Sequence, residues 1–417
     1  WRGPRKAIVE HHQHPARQSG ARAVAAWRPR HRVADIFRSH GAVAAAGPLS
    51  VQANRVVRDV QLCRTAALGG HLDRCRKCAH ERPSYNSCRN RHCPTCQALR
   101  QARWVEQRME RVLPVQHFHV VFTVPSQLRA VARANPAWFY KTLFDAARTT
   151  LMTLGKQRLG GEEASPVIGV TAVLHTWTKD LHLHPHVHCV VTAGGLNTNS
   201  GRWCPSNPRF LFPVAVMRKL FRGIFLRRLK TAVEAGDVRL VGRAASLAEP
   251  GAFARLLSAL YRIKWVVYAK KPFVGPAQVF KYLGRYTHRV AISDTRLLSV
   301  TDNRVVIRTR GDASATMTPA QFIQRFLLHV LPVGFHKIRH FGLYSPAYAK
   351  QREALARELP TTRPADESPE PAEAPPQEGW QDQLERLTGV DIRRCPRCDG
   401  VMVRLGIPRP RGPPGGW

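Results

Sequence analysis

Four histidines fall at every second position in Leu181-His-Leu-His-Pro-His-Val-His-Cys-Val-Val191: His182, His184, His186 and His188. A β-strand repeats every two residues, so this spacing puts all four imidazoles on one face. Such a row contributes nothing to apolar packing. A surface strand could carry it idly, but Val187, Cys189, Val190 and Val191 argue for an element inside a sheet, where the pattern reads as metal ligation. His186 and His188, flanking Val187 and furthest from the break at Pro185, form the best pair. His184 is the first candidate for an extra ligand and His182 the last, and the third protein ligand stays open. A divalent ion on such a pair can polarise a phosphodiester as a Lewis acid. By softness, imidazole favours Mn²⁺ over Mg²⁺.

The partner for that chemistry is a nucleophile. Tyr282 and Tyr286 are four residues apart and share one face if residues 278–289 form a helix, with Lys281, Arg285 and Arg289 as an adjacent basic stripe. Two tyrosines at this spacing usually pack on a core. Beside a histidine strand in so basic a chain, they read as nucleophiles. A phenol with a pKa of about 10 must lose its proton as it attacks, helped by nearby positive charge. Attack on DNA would make a 5′-phosphotyrosine and free a 3′-OH. The covalent link keeps the bond energy, so no nucleotide cofactor is needed for rejoining. A flexible single strand suits such a pocket. Trp177, Trp203, Trp265 and Phe280 could stack bases, although core packing is the commoner role of each.

A second kind of metal chemistry is written in the cysteines. Cys75-Arg-Lys-Cys78 and Cys93-Pro-Thr-Cys96 are two short knuckles with 14 residues between them. Together they can complete a tetrahedral thiolate site for structural Zn²⁺. Cys63, His71, His80, Cys88 and His92 are spare donors that leave room for a second ion or a different ligand set. Arg89 and Arg91, among other basic residues of the cluster, are candidate DNA contacts; the bland reading is a solvated basic face. Cys395 and Cys398 form only half a site, to be completed by a distant or intermolecular donor if at all. Paired cysteines of this kind fit a reducing compartment, and the expectation is a bacterial cytoplasmic, nucleoid-associated protein.

These groups need elements to hold them. The pattern predicts helices over 33–37, 51–62, 97–113, 128–154, 212–235 and 252–261. It predicts strands over 117–124, 167–178, 182–191 and 265–269, with a hairpin over 297–310 turning at Asp302-Asn303. Strands and helices mix without regular alternation, which gives an α+β fold with an antiparallel sheet and a small zinc-ribbon-like domain before it. The expected organisation is a disordered basic extension (1–27), a zinc-binding DNA-binding domain (28–112), a catalytic domain (113–355) and a disordered Pro-rich acidic linker and tail with a lone CxxC (356–417). Lys and Arg total 65 against 28 Asp and Glu, a net charge of +37 that calls for a polyanion. The 417 residues contain no apolar run long enough to span a bilayer, so no membrane partner is expected.

His-hydrophobic-His on a central strand resembles the HUH motif of single-strand endonucleases. Four longer runs are similar to the insertion sequence 91 transposases, in the expected order, across residues 28–350. They are His184-Pro-His-Val-His-Cys-Val-Val191, Cys63-Arg-Thr-Ala-Ala-Leu-Gly-Gly-His71, Tyr85-Asn-Ser-Cys-Arg-Asn-Arg-His-Cys-Pro94 and Tyr282-Leu-Gly-Arg-Tyr-Thr-His-Arg-Val-Ala-Ile292. The resemblance implies a rolling-circle transposase with an HUH nuclease core and Mg²⁺ or Mn²⁺. It makes one tyrosine the first nucleophile and gives the other the second cleavage or strand transfer. The rivals are a zinc-dependent DNA-binding protein without catalysis, a degenerate transposase that has lost activity, and a histidine-metal phosphohydrolase that activates water.

Overall fold

The computed structural model describes residues 30–44, 49–109, 111–159, 165–270, 291–359, 379–388 and 390–406. Helices α1 (Val33–Ala44) and α2 (Val51–Leu62) lead into a hairpin, β1 (Gly70–Cys75) and β2 (Glu81–Tyr85), and then helix α3 (Ala98–Met109). Strand β3 (His117–Thr123) follows, then α4 (Arg129–Ala134) and α5 (Pro136–Arg158). The long strands β4 (Pro166–Trp177) and β5 (Leu183–Asn197) come next, with the short β6 (Trp203–Pro205). Helices α6 (Val214–Glu234) and α7 (Ala252–Arg262) precede β7 (Val266–Lys270). After residues 271–290 come β8 (Leu297–Val300), β9 (Val305–Arg308), β10 (Ser314–Met317), α8 (Pro319–Leu327), β11 (Ile338–Gly342) and α9 (Ala349–Glu358). The C-terminal part holds α10 (Trp380–Thr388) and β12 (Met402–Gly406).

The fold is α+β with antiparallel sheets, as the mixed pattern predicts. The main sheet runs β11-β4-β5-β3-β7, with β6 paired to β5. Between two irregularities of the β4–β5 pair, at Ile168/Val170 and His175/Trp177, its strands alternate. Phe118, Val120 and Phe122 of β3, Val170, Ala172 and Leu174 of β4, and Val187, Cys189 and Val191 of β5 point to one side and are all buried. There they pack with Phe139 and Phe144 of α5, Phe221 and Phe225 of α6, and Trp265. Trp265 is a core residue, in edge contact with Phe221 and Phe225 and donating its indole N–H to the Leu260 carbonyl. Because this face belongs to helices, the side chains at alternate positions must present themselves on the other face. That is where His117, His119, Thr171, His175, His186 and His188 lie, by the β3–β5 and β4–β5 registers.

One departure from the sequence pattern has a simple cause. The single helix expected over 128–154 is two, because Pro136 cannot continue α4 and instead opens α5. The boundary expected near residue 112 is crossed by packing. Helices α1 and α2 share a core with α8 and with β8–β10, including a Phe37–Phe326 edge contact at 5.3 Å. Asp294 joins the parts by accepting from the Val33 amide at 2.9 Å and the Thr95 hydroxyl at 2.8 Å. Among the described residues, no helix is long and apolar enough to cross a membrane.

Edge strand β11 ends at Gly342, whose φ of 57° lies in the left-handed region and whose Cα faces the Ile168 carbonyl oxygen. A Cβ there would collide with that oxygen. Gly334 also has a left-handed φ, 69°, but a Cβ at it would meet open space. Gly334→Ala should therefore cost only the conformational penalty, about 1 kcal/mol, whereas Gly342→Ala should cost at least about 2–3 kcal/mol. Denaturant midpoints compare the two, and equal losses would contradict the close approach at β11.

Candidate metal centre

The histidine strand lies in the middle of the main sheet, between β4 and β3. In register, His186 sits opposite His175 of β4, and His188 opposite Val173 on that side and Val121 of β3 on the other. Three imidazoles, His175, His186 and His188, bring one ring nitrogen each to within 4.8 Å of one another. Their rings are close: 4.1 Å between His175 and His188, 5.0 Å between His186 and His188. The best pair chosen from sequence is thus brought together, but the third member is His175 and not His184. His184 shares the strand face one step along, and its carbonyl is 2.7 Å from Nδ1 of His186. His182 is half-exposed and faces Asp180 at 3.3 Å.

The contacts of the rings bear on their tautomers. With Nδ1–H of His186 donating to the His184 carbonyl, Nε2 is left with a lone pair to offer. Nδ1 of His188 lies 2.8 Å from Nε2 of His119 on β3. For His188 to ligate through Nε2, its Nδ1–H must donate to His119, which makes His119 the residue that orients His188. Burial pulls His186 and His119 down to about 4 and holds His175 and His188 well below the ordinary histidine value. At neutral pH the rings are neutral, the form that binds a metal. Three neutral nitrogen donors fit a first-row divalent ion better than oxygen-seeking Mg²⁺.

Around the trio the face is basic. Trp177 stacks on His175 with ring centroids 5.0 Å apart, and Lys337 Nζ lies 4.9 Å above the Trp177 ring. Further along the same face, a cleft of about 510 Å³ is lined by Arg108, Arg111, Thr171, His340 and Arg352. Thr171 and His175 are four residues apart on one strand, about 13 Å. Helix α3 covers part of this face, with Trp104 and Met109 packed against Val173 and Val190. The pair Tyr282 and Tyr286, with Lys281, Arg285 and Arg289, lies outside the described residues.

The cysteines correct the sequence expectation. Cys75, Cys78, Cys93 and Cys96 do not form one site. Cys93 and Cys96 join Cys63 and Cys88 in one group of four, and Cys75 and Cys78 join Cys395 and Cys398 in another. Cys75 and Cys78 sit at the turn of the β1–β2 hairpin, whereas Cys88, Cys93 and Cys96 follow β2, and chain topology, which spacing does not encode, chooses their partners. In the first group Cys88 and Cys96 sulfurs are 3.7 Å apart. That is near the ~3.8 Å edge of a tetrahedron with ~2.3 Å metal–sulfur bonds, and far from a ~2.05 Å disulfide. Hydrogen bonds from Cys88, Cys93 and Cys96 hold Cys63 below the usual thiol range. The donor set fits structural Zn²⁺.

The remaining candidates around this group act otherwise. His92 is not a ligand: its Nε2 accepts from the Leu331 amide at 3.0 Å, and Asn90 holds its other nitrogen. Arg91, expected to contact DNA, is half-buried and donates to the Phe335 and Pro332 carbonyls at 2.5 and 2.9 Å. It pins the zinc module to the sheet domain. Arg89 stays exposed.

Residues 36–124 match a family model described as "Transposase zinc-binding domain", and residues 169–352 one described as "Putative transposase". The class is therefore that of the transposases, enzymes that process DNA. The protein "Putative transposase y4qJ" of Sinorhizobium fredii is 44% identical over 397 residues, 92% of this chain and 98% of that protein. The "Transposase for insertion sequence element IS801" of Pseudomonas savastanoi pv. phaseolicola is 26% identical over 349 residues, 82% of this chain and 80% of that protein. The chain belongs to the insertion sequence 91 family of transposases, with an N-terminal zinc-binding domain. No solved structure matches it significantly.

If Cys63, Cys88, Cys93 and Cys96 share one ion, Cys63→Ser and Cys88→Ser should each lower bound zinc by about one ion per chain, as much as Cys93→Ser does. Metal analysis of the reduced proteins reads this out. Full zinc in Cys63→Ser and Cys88→Ser would restore the single site expected from spacing.

Proposed function

We propose that this transposase cuts and rejoins single-stranded DNA at the three-histidine face of its main sheet, through phosphotyrosine intermediates on Tyr282 and Tyr286, in rolling-circle transposition. The observation that carries the reading is the trio of buried His175 and part-buried His186 and His188, with His119 behind it. These residues would hold a divalent ion, Mg²⁺ or Mn²⁺ by family resemblance and Mn²⁺ by donor softness, which supplies Lewis-acid polarisation of the scissile phosphate.

The chain's own groups would do the rest. A tyrosine oxygen attacks phosphorus, the P–O3′ bond breaks, and the leaving 3′ oxygen ends protonated as the phenol loses its proton. Lys337 and the arginines of the neighbouring cleft can hold flanking phosphates and keep the strand in line. Trp177, part-exposed beside His175, can stack a base. The ends of segment 271–290 support the tyrosine assignment. Lys270, just before it, is in register with His119, and Ala291, just after it, shares a core with Leu181 at the start of the histidine run. The described structure before the segment thus ends on the strand beside β3, opposite His119. Reverse attack by the 3′-OH on the stored phosphotyrosine bond rejoins DNA without a nucleotide cofactor. The charge of +37 provides affinity through many phosphate contacts, so binding should survive loss of the chemistry.

The test is covalent adduct formation on short single-stranded oligonucleotides with Mn²⁺. His175→Ala and His186→Ala should each lower the adduct at least about 100-fold with DNA binding kept, while His184→Ala should cost less than about tenfold. The Tyr282→Phe, Tyr286→Phe double variant should form no adduct. Cleavage without an adduct in the wild type would instead establish water activation at the same histidines. An adduct persisting in the double variant would overturn the nucleophile assignment.

A further inference from the structure

The second cysteine group joins parts of the chain that neither family model spans together. Cys75 and Cys78 lie in the N-terminal zinc-binding domain, while Cys395 and Cys398 lie beyond residue 352, where the transposase match ends. Cys75 and Cys398 sulfurs are 3.5 Å apart and Cys78 and Cys395 sulfurs 3.6 Å. These are again tetrahedron edges and not disulfides. We propose that Cys75, Cys78, Cys395 and Cys398 bind a second structural zinc ion that clasps the C-terminal segment, residues 379–406, onto the zinc-binding domain.

The two half-sites are built alike, which free cysteines need not be. In each, the amide two residues after the first cysteine points at its sulfur: Lys77 to Cys75 and Arg397 to Cys395, both at 3.4 Å. In each, the residue after the second cysteine has a left-handed backbone, Ala79 with φ 54° and Asp399 with φ 55°. Both of those amides bond back to the first cysteine's carbonyl, at 3.1 and 3.0 Å. Neither residue is glycine, so each turn carries strain that something must repay. Gly400 is small for a reason: a Cβ there would stand 2.9 Å from the Cys75 sulfur and 3.3 Å from that of Cys398.

Among the described residues, the segment is otherwise held by strand pairing and polar contacts. Strand β12 pairs with β1, from Cys75–Met402 to Leu72–Gly406, but the buried core of this small sheet is Cys75, Cys395 and Met402. So little apolar surface is the usual mark of a fold that depends on a metal. The consequence reaches the histidine face. Helix α10 bonds to the outer side of α3 through Arg103–Gln383 at 2.7 Å and Arg386–Glu106 at 2.5 Å. The inner side of α3 packs on Val173 and Val190, beside His175 and His188.

A protease site inserted within residues 360–378 of the full chain tests the clasp. After cutting, the C-terminal fragment should co-elute with the rest of the wild type and separate from it in Cys395→Ser, Cys398→Ser, which keeps the first zinc group intact. With cobalt(II) in place of zinc, the same variant should lose about half of the thiolate-to-metal charge-transfer absorbance. Cys398→His, which keeps a donor, should restore co-elution even if the double variant folds poorly. Co-elution of the double variant, or undiminished charge transfer, would overturn the proposal. So would separation of the wild-type fragments without any variant.

Discussion

The arrangement depends on one constraint, the two-residue period of three adjacent antiparallel strands whose other face is committed to helices. Because Phe118, Phe122, Leu174 and Val187 are needed against α5 and α6, the alternate residues of β3, β4 and β5 must face the other way. Imidazoles set there are close enough to share an ion and dry enough to stay neutral. A one-residue slip of β5 would bury His186 and His188 among phenylalanines and turn Val187 outward. The register that satisfies the apolar core is therefore the same register that builds the histidine centre.

A different force acts beside the apolar cores. The N-terminal module and the C-terminal segment are organised around cysteine groups, and Asp294 and Arg91 tie the module to the sheet domain. Helix α3 sits between the two systems, touching the histidine face on one side and the C-terminal helix on the other. Such a layout lets a basic chain present surfaces to DNA without a large hydrophobic interior in every part.

What the sequence discloses follows from whether a feature is local. The histidine period, the α+β mixture, the hairpin at Asp302-Asn303 and the pairing of cysteines into knuckles are local, and each is present in the fold. Which knuckle meets which is not local. Cys75 finds Cys398 across 323 positions, and no spacing rule within the first hundred residues encodes that choice. His175 was missed for a related reason. It is a lone histidine at the end of an apolar strand, where it resembles a core residue, and only the β4–β5 register puts it opposite His186. Its parity with Thr171, on a strand otherwise filled with aliphatic residues, was the available signal. Arg91 misled because charge suggests solvent, whereas its guanidinium turns inward to the Phe335 and Pro332 carbonyls at the turn over 332–335.

The central claim is that three imidazoles of one sheet face hold a single divalent ion. Pulsed electron paramagnetic resonance on the Mn²⁺-loaded protein counts directly bound imidazole nitrogens. Three couplings in the wild type, falling to two in His175→Gln and staying at three in His184→Gln, are the result the proposal predicts. Two couplings in the wild type, unchanged in His175→Gln, would contradict it.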